Sequence, residues 1–202
     1  MEHFFYCRDA PGTEALLEEF AEAHWSFMDR YADAMIARGP TTDPSGELHT
    51  GSMHMVDLPD VEAADVFAFE EPYYLAGVYR EVVKHRWRNV LGRTMWDLIA
   101  ADHGQRFLIL GHGVEGVGSI PRELIARRRR YLDEAGYLDR FIERGPLLSD
   151  DGERWTGSAM LVEFPDRASV EAMLAQDPYV VEGLYRQVEV HPWSFGGRPS
   201  PA

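Results

Sequence analysis

The chemistry this chain can offer centres on a histidine at position 24. Leu17, Phe20, His24, Phe27 and Tyr31 recur at three- and four-residue spacing, the pattern of a helix whose apolar stripe faces a core. An imidazole on that stripe is either a hydrogen-bonded core group or a proton-transfer group, because its ordinary pKa lies near neutrality. His54 falls in a strand-like run from Ser52 to Leu58, where alternation puts residues 54, 56 and 58 on one face. That face lies either under the helices, where His54 and His24 share a cavity, or on the opposite side of the sheet. Asp33 and Asp29 are the carboxylates expected to partner His24, fixing its tautomer and raising its basicity; as plain structure, each is a solvated acid at a helix end. Arg38, Ser52, His54 and Tyr73 are the expected substrate-orienting or charge-stabilising groups.

Several other chemistries lack their signatures. The sequence has no Walker A loop, no dinucleotide glycine fingerprint and no Gly-x-Ser-x-Gly elbow. The histidines show no metal-ligand spacing, so neither a metal nor a cofactor is expected. Cys7 is the single cysteine; it excludes an intramolecular disulfide and fits a reducing, cytoplasmic setting. A net charge of −14 repels phosphate backbones, so nucleic acid is not an expected partner. No apolar run approaches the ~18 residues of a membrane helix. The run Arg127-Arg128-Arg129-Arg130 reads as a solvated helix face.

The elements that must position these residues occur twice. Arg38-Gly39-Pro40 recurs as Arg144-Gly145-Pro146, an offset of 106 from 38 to 144. The same offset carries Thr50-Gly51-Ser52 onto Thr156-Gly157-Ser158, Pro72-Tyr73 onto Pro178-Tyr179, and His85 and Trp87 onto His191 and Trp193. Such self-similarity marks a duplicated module of about 100 residues. Near the start, Phe4 matches Phe107, which implies a first loop about three residues longer in the second copy. At the 106 offset, position 24 maps onto Arg130 and position 54 onto Met160, and sliding the register by up to three residues still lands on one of four consecutive arginines, so histidine chemistry belongs to the first copy.

Each copy reads as a short strand, a helix (about 13–32), a strand (35–38) ended by Gly39-Pro40, a strand (52–58), a helix (61–70) capped by Asp60, and a strand (79–85). The order βαββαβ is the ferredoxin-like unit, whose bare sheet face a second copy would cover. The expected fold class is therefore α+β, with two repeats packed sheet-to-sheet as a pseudo-dimer. Repeat 1 spans 1–87, a linker 88–104 and repeat 2 105–202. Met95 to Ala100 could form one or two helical turns. The assembly is expected to be a monomeric pseudo-dimer or a homodimer.

The stretch His24-Trp25-Ser26-Phe27-Met28-Asp29 resembles the helix motif of YCII-related proteins. So do Ile36-Ala37-Arg38-Gly39-Pro40, Thr50-Gly51-Ser52, Glu71-Pro72-Tyr73, Ala76-Gly77-Val78-Tyr79 and, in the second copy, Gly145-Pro146-Leu147-Leu148, Asp177-Pro178-Tyr179 and His191-Pro192-Trp193. The resemblance implies a dimeric α+β barrel with a helix histidine and an aspartate as the active-site dyad, carried here by His24 and Asp33. It implies a cofactor-independent lyase or isomerase acting on a small hydroxylated aromatic or polyketide-like metabolite, akin to a dehydrochlorinase of chlorinated hydroxyquinols. A metabolite-binding or accessory protein without turnover is the alternative.

Overall fold

The computed structural model describes residues 1–98 and 104–198. The first repeat builds β1 (Glu2–Asp9), α1 (Glu14–Asp29), β2 (Met35–Thr42), β3 (His49–Asp57), α2 (Val61–Phe69), α3 (Pro72–Leu75) and β4 (Tyr79–Trp87). The second builds β5 (Gln105–Gly113), α4 (Arg122–Glu134), β6 (Phe141–Leu148), β7 (Trp155–Phe164), α5 (Arg167–Gln176), α6 (Pro178–Val181) and β8 (Tyr185–Pro192). In each, the first strand sits between the third and fourth and the second strand pairs with the third, all antiparallel. This is the ferredoxin-like order that the sequence pattern implies.

Helix starts follow the capping chemistry. Asp60 accepts from Ala63 N at 2.8 Å and Asp166 from Ser169 N at 2.8 Å, closing the first turns of α2 and α5. Phe5, Phe27, Met28, Met35, Val56 and Phe67 form the core between the sheet and helices of the first unit. Phe107, Leu132, Phe141, Met160, Val162 and Phe164 do the same in the second. His54 lies on this helix-covered face, with its ring 5.5 Å from Phe67, which settles the alternative left by alternation.

The pairing registers correct the repeat alignment. Phe5 lies opposite His54 as Ile109 lies opposite Met160, so the first strands are offset by 104 (from 5 to 109), and Phe4 corresponds to Leu108 rather than Phe107. The extra residues fall after the helix rather than in the first loop. Tyr31 N donates to Met28 O where α1 ends, whereas Tyr137 N reaches back to Leu132 O. Two residues are thus added there, and Gly136 makes the turn at φ 68°, a left-handed position at which a side chain is disfavoured. The helix residue equivalent to His24 is consequently Arg128, not Arg130.

Gly39-Pro40 does not end its strand, since β2 runs on to Thr42. Proline is tolerated because this side of β2 is an edge of its repeat's sheet. A short segment covers that edge: Ser194 N donates to Pro40 O and Gly196 N to Arg38 O. The second unit repeats the device, with Arg88 N on Pro146 O and Val90 N on Arg144 O. A Cβ on Gly39 would stand 1.9 Å from Ser194 O, and one on Gly145 1.8 Å from Arg88 O, so both glycines are required by close backbone approach. The compact units therefore differ from the repeat boundaries: Met1–Arg86 groups with Trp193–Ala202, and Trp87–Pro192 forms the other unit. The start of the expected linker is part of the second unit. Met95–Leu98 is a single 3-10 turn; residues 99 and 100 of that expected helix lie outside the described residues.

Candidate active site

The first unit holds a cavity of about 420 Å³ lined by His24, His54, Arg38, Ser52, Tyr73 and His49, with Phe195 and Gly197 at one side. The structure thus brings His24 together with all four expected substrate-orienting residues. His24, 8% exposed on α1, places Nδ1 2.5 Å from Glu71 Oε1. Glu71, 2% exposed, caps α3: Tyr73 N donates to Oε1 at 3.1 Å and Tyr74 N to Oε2 at 3.0 Å. A carboxylate held by two backbone amides cannot swing away, and it accepts the Nδ1 hydrogen of the imidazole. Nε2 is the nitrogen left for a proton or a ligand. The Tyr73 ring stacks on His24 at 4.3 Å and 14°, and its hydroxyl donates to Leu17 O at 2.9 Å. Burial, then the Glu71 and Asp9 charges, push this phenol up to about 12, so it stays protonated at neutral pH.

His54 lies 5.9 Å from His24, ring to ring. Burial, then the positive charges of His24 and Arg38, hold its pKa well below 6.5, and its Nδ1 is buried without a hydrogen-bond partner. It is a neutral group in the cavity wall. His49 adds a second imidazole–carboxylate pair, with Nδ1 2.5 Å from Asp9 Oδ2.

Neither expected aspartate partners His24. Asp33 is exposed in the 3-10 turn 32–34. It lies four residues beyond the end of α1, past the helix that carries His24. Asp29 is exposed and binds Arg198 at 2.7 Å; five residues on, it points about 140° away around α1. The carboxylate that pattern reading missed, Glu71, lies 47 positions from His24. Its signal was an acid before Pro-Tyr in both copies, Glu71 and Asp177.

The second unit keeps this scaffold with other groups in place. Arg128 Nε lies 2.9 Å and Nη2 2.8 Å from Asp177 Oδ2. Asp177 is fully buried and caps α6, accepting from Tyr179 N at 2.9 Å. The Arg128 guanidinium stacks 4.3 Å over the Tyr179 ring and approaches Met160 Sδ. Histidine, glutamate, tyrosine and histidine thus become arginine, aspartate, tyrosine and methionine. Arg128 is turned inward, unlike the solvated face expected of the arginine run.

The YCII-related domain profile matches residues 1–88 and again 105–194. The chain belongs to the YCII-related family. No curated protein matches it by sequence. Among solved structures, it is similar to a heme-binding protein from Thermus thermophilus (TM-score 0.56, 8% identity, 95% of this chain and 90% of that one). It is also similar to a candidate monooxygenase from Lactobacillus acidophilus (0.53, 8%, 97% and 96%). These likenesses show the fold class alone, α+β of the dimeric α+β barrel type. A 5-chloro-2-hydroxyhydroquinone dehydrochlorinase from Burkholderia phenoliruptrix, solved with 2,5-dihydroxybenzoquinone, matches 46% of this chain and 99% of its own at 21% identity and a TM-score of 0.42. Among the described residues, no three His, Cys, Asp or Glu side chains converge as a metal site, and no helix is long and apolar enough to cross a membrane.

Proposed function

We propose that the first unit is a proton-transfer site acting on a small hydroxylated aromatic or polyketide-like metabolite, in a lyase- or isomerase-type reaction that needs no cofactor. The observation that carries this reading is the 2.5 Å His24–Glu71 contact at the wall of a cavity. Glu71 is a positioning residue: it holds the Nδ1–H tautomer and stabilises the imidazolium. His24 Nε2 takes a proton from a substrate hydroxyl or from carbon beside a carbonyl, and returns it to the leaving group or to a second carbon. In this reading Arg38 and Ser52, which line the same cavity, are the donors for developing oxyanion charge. Neutral His54 and the walls formed by Trp25 and Met28 favour a flat, largely apolar substrate.

The test is turnover of a panel of halogenated or hydroxylated quinols and β-dicarbonyls, with solvent deuterium uptake as a second readout. His24→Ala should cut the rate about 10²-fold or more. A variant as fast as the parent would overturn the reading. The competing reading, a metabolite-binding protein without turnover, draws on the second unit, which keeps the scaffold with an arginine in place of the imidazole. It predicts that His24→Ala weakens ligand binding while no compound yields product.

A further inference from the structure

The second unit encloses its own cavity, of about 630 Å³, within the range of small-molecule sites. Four arginines line it, Arg88, Arg128, Arg129 and Arg144, with Glu153 as the one acid among the lining residues. Among the described residues, Arg128 is the one of the four paired with an acid, Asp177. Arg144 has no acid paired to it among the described residues, and its Nε is buried without a hydrogen-bond partner. Burial, then the guanidiniums of Arg128 and Arg129, press its pKa below the usual arginine value. Trp155, 7% exposed, also lines the cavity with its indole Nε1–H buried and unpartnered. Ser158 accepts from Tyr185 Oη at 2.9 Å, which leaves its own hydroxyl hydrogen to donate.

A buried donor without an acceptor is unfavourable, and Arg144 Nε and Trp155 Nε1 are two such donors on one cavity wall, with the exposed Arg88 and Arg129 adding positive charge beside them. The remaining walls, including Ile120, Leu132 and Met160, are apolar. The geometry points to a binding site in the second unit for a small organic carboxylate, its anionic end on Arg144 and Arg129 and its apolar body against Trp155. A guanidinium fork matches a carboxylate with two parallel hydrogen bonds, and an aromatic or branched body fills the apolar side. This site is separate from the His24 cavity and does not depend on its reaction.

Titration calorimetry with benzoate, and with benzamide as its neutral isostere, tests the assignment. Benzoate should bind, benzamide should bind about tenfold or more weakly, and Arg144→Gln should weaken benzoate about tenfold or more. His24→Ala should leave benzoate binding unchanged. Arg129→Gln, at an exposed position, serves in place of Arg144→Gln should the latter unfold. The assignment is overturned by no benzoate binding at millimolar concentration, by equal binding of benzamide, by indifference to both arginine variants, or by loss of binding in His24→Ala.

Discussion

The two cavities are one scaffold with opposite electrical commitments. In both, an acid caps a four-residue helix through the amide of a following tyrosine, and that tyrosine's ring supports a cationic or basic group from the long helix. In the first unit that group is an imidazole, which can shed its proton; in the second it is a guanidinium, which cannot. The difference teaches that the acid–Pro–Tyr element is a platform for a positive charge. Proton transfer is what histidine adds to it.

The largest expected effect is on stability. Asp177→Asn keeps the cap but strands Arg128 as an unpaired buried charge, and should cost about 3–5 kcal/mol in urea unfolding. Glu71→Gln should cost only about 1–2 kcal/mol, because His24 can become neutral. Equal losses would break the comparison. Next, His24→Arg copies the second unit into the first. Turnover should drop about 10²-fold or more while the melting temperature holds. Retained turnover would show that proton transfer is not the imidazole's role.

Gly39→Ala and Gly145→Ala probe what the two units share. Each drives a Cβ into a backbone oxygen, and each should cost about 1–3 kcal/mol through displacement of the covering segment. Loss of protease resistance near residues 193–197 in the first case, and near 88–90 in the second, is the measurement. A smaller effect sharpens the contrast between His54 and Met160. The His54 imidazole stays neutral when folded, while the unfolded chain takes up a proton near pH 6.5. The unfolded state therefore binds more protons as pH falls, so stability is full above about pH 6.5 and declines below it, by at most about 1.4 kcal/mol per pH unit. His54→Met should flatten this acid limb in denaturation curves recorded from pH 7 to pH 5.

Much of the fold was legible because it rests on local patterns. The apolar stripe of α1 and the Asp60 cap each sit within a few residues, and the repeat shows as short motifs recurring at one offset of 106. The His24 cavity was half legible, since Arg38, Ser52, His54 and Tyr73 are set by strand alternation and turn position. Glu71 was hidden because tertiary folding, not helix spacing, brings it to His24 across 47 positions. Which of the four arginines matches His24 stays open in the sequence, because the insertion at Gly136 is silent in a run of identical residues. Pro40 looked like a strand end because its edge position is visible only once the sheet has formed.

Nitrogen NMR of the His24 ring tests the central contrast most directly. In the parent protein, the neutral ring should carry its hydrogen on Nδ1, with Nε2 bare, and Glu71→Gln should shift that balance toward the Nε2–H form. A ring that holds its hydrogen on Nε2 in the parent, or whose tautomer ignores Glu71→Gln, would contradict the account.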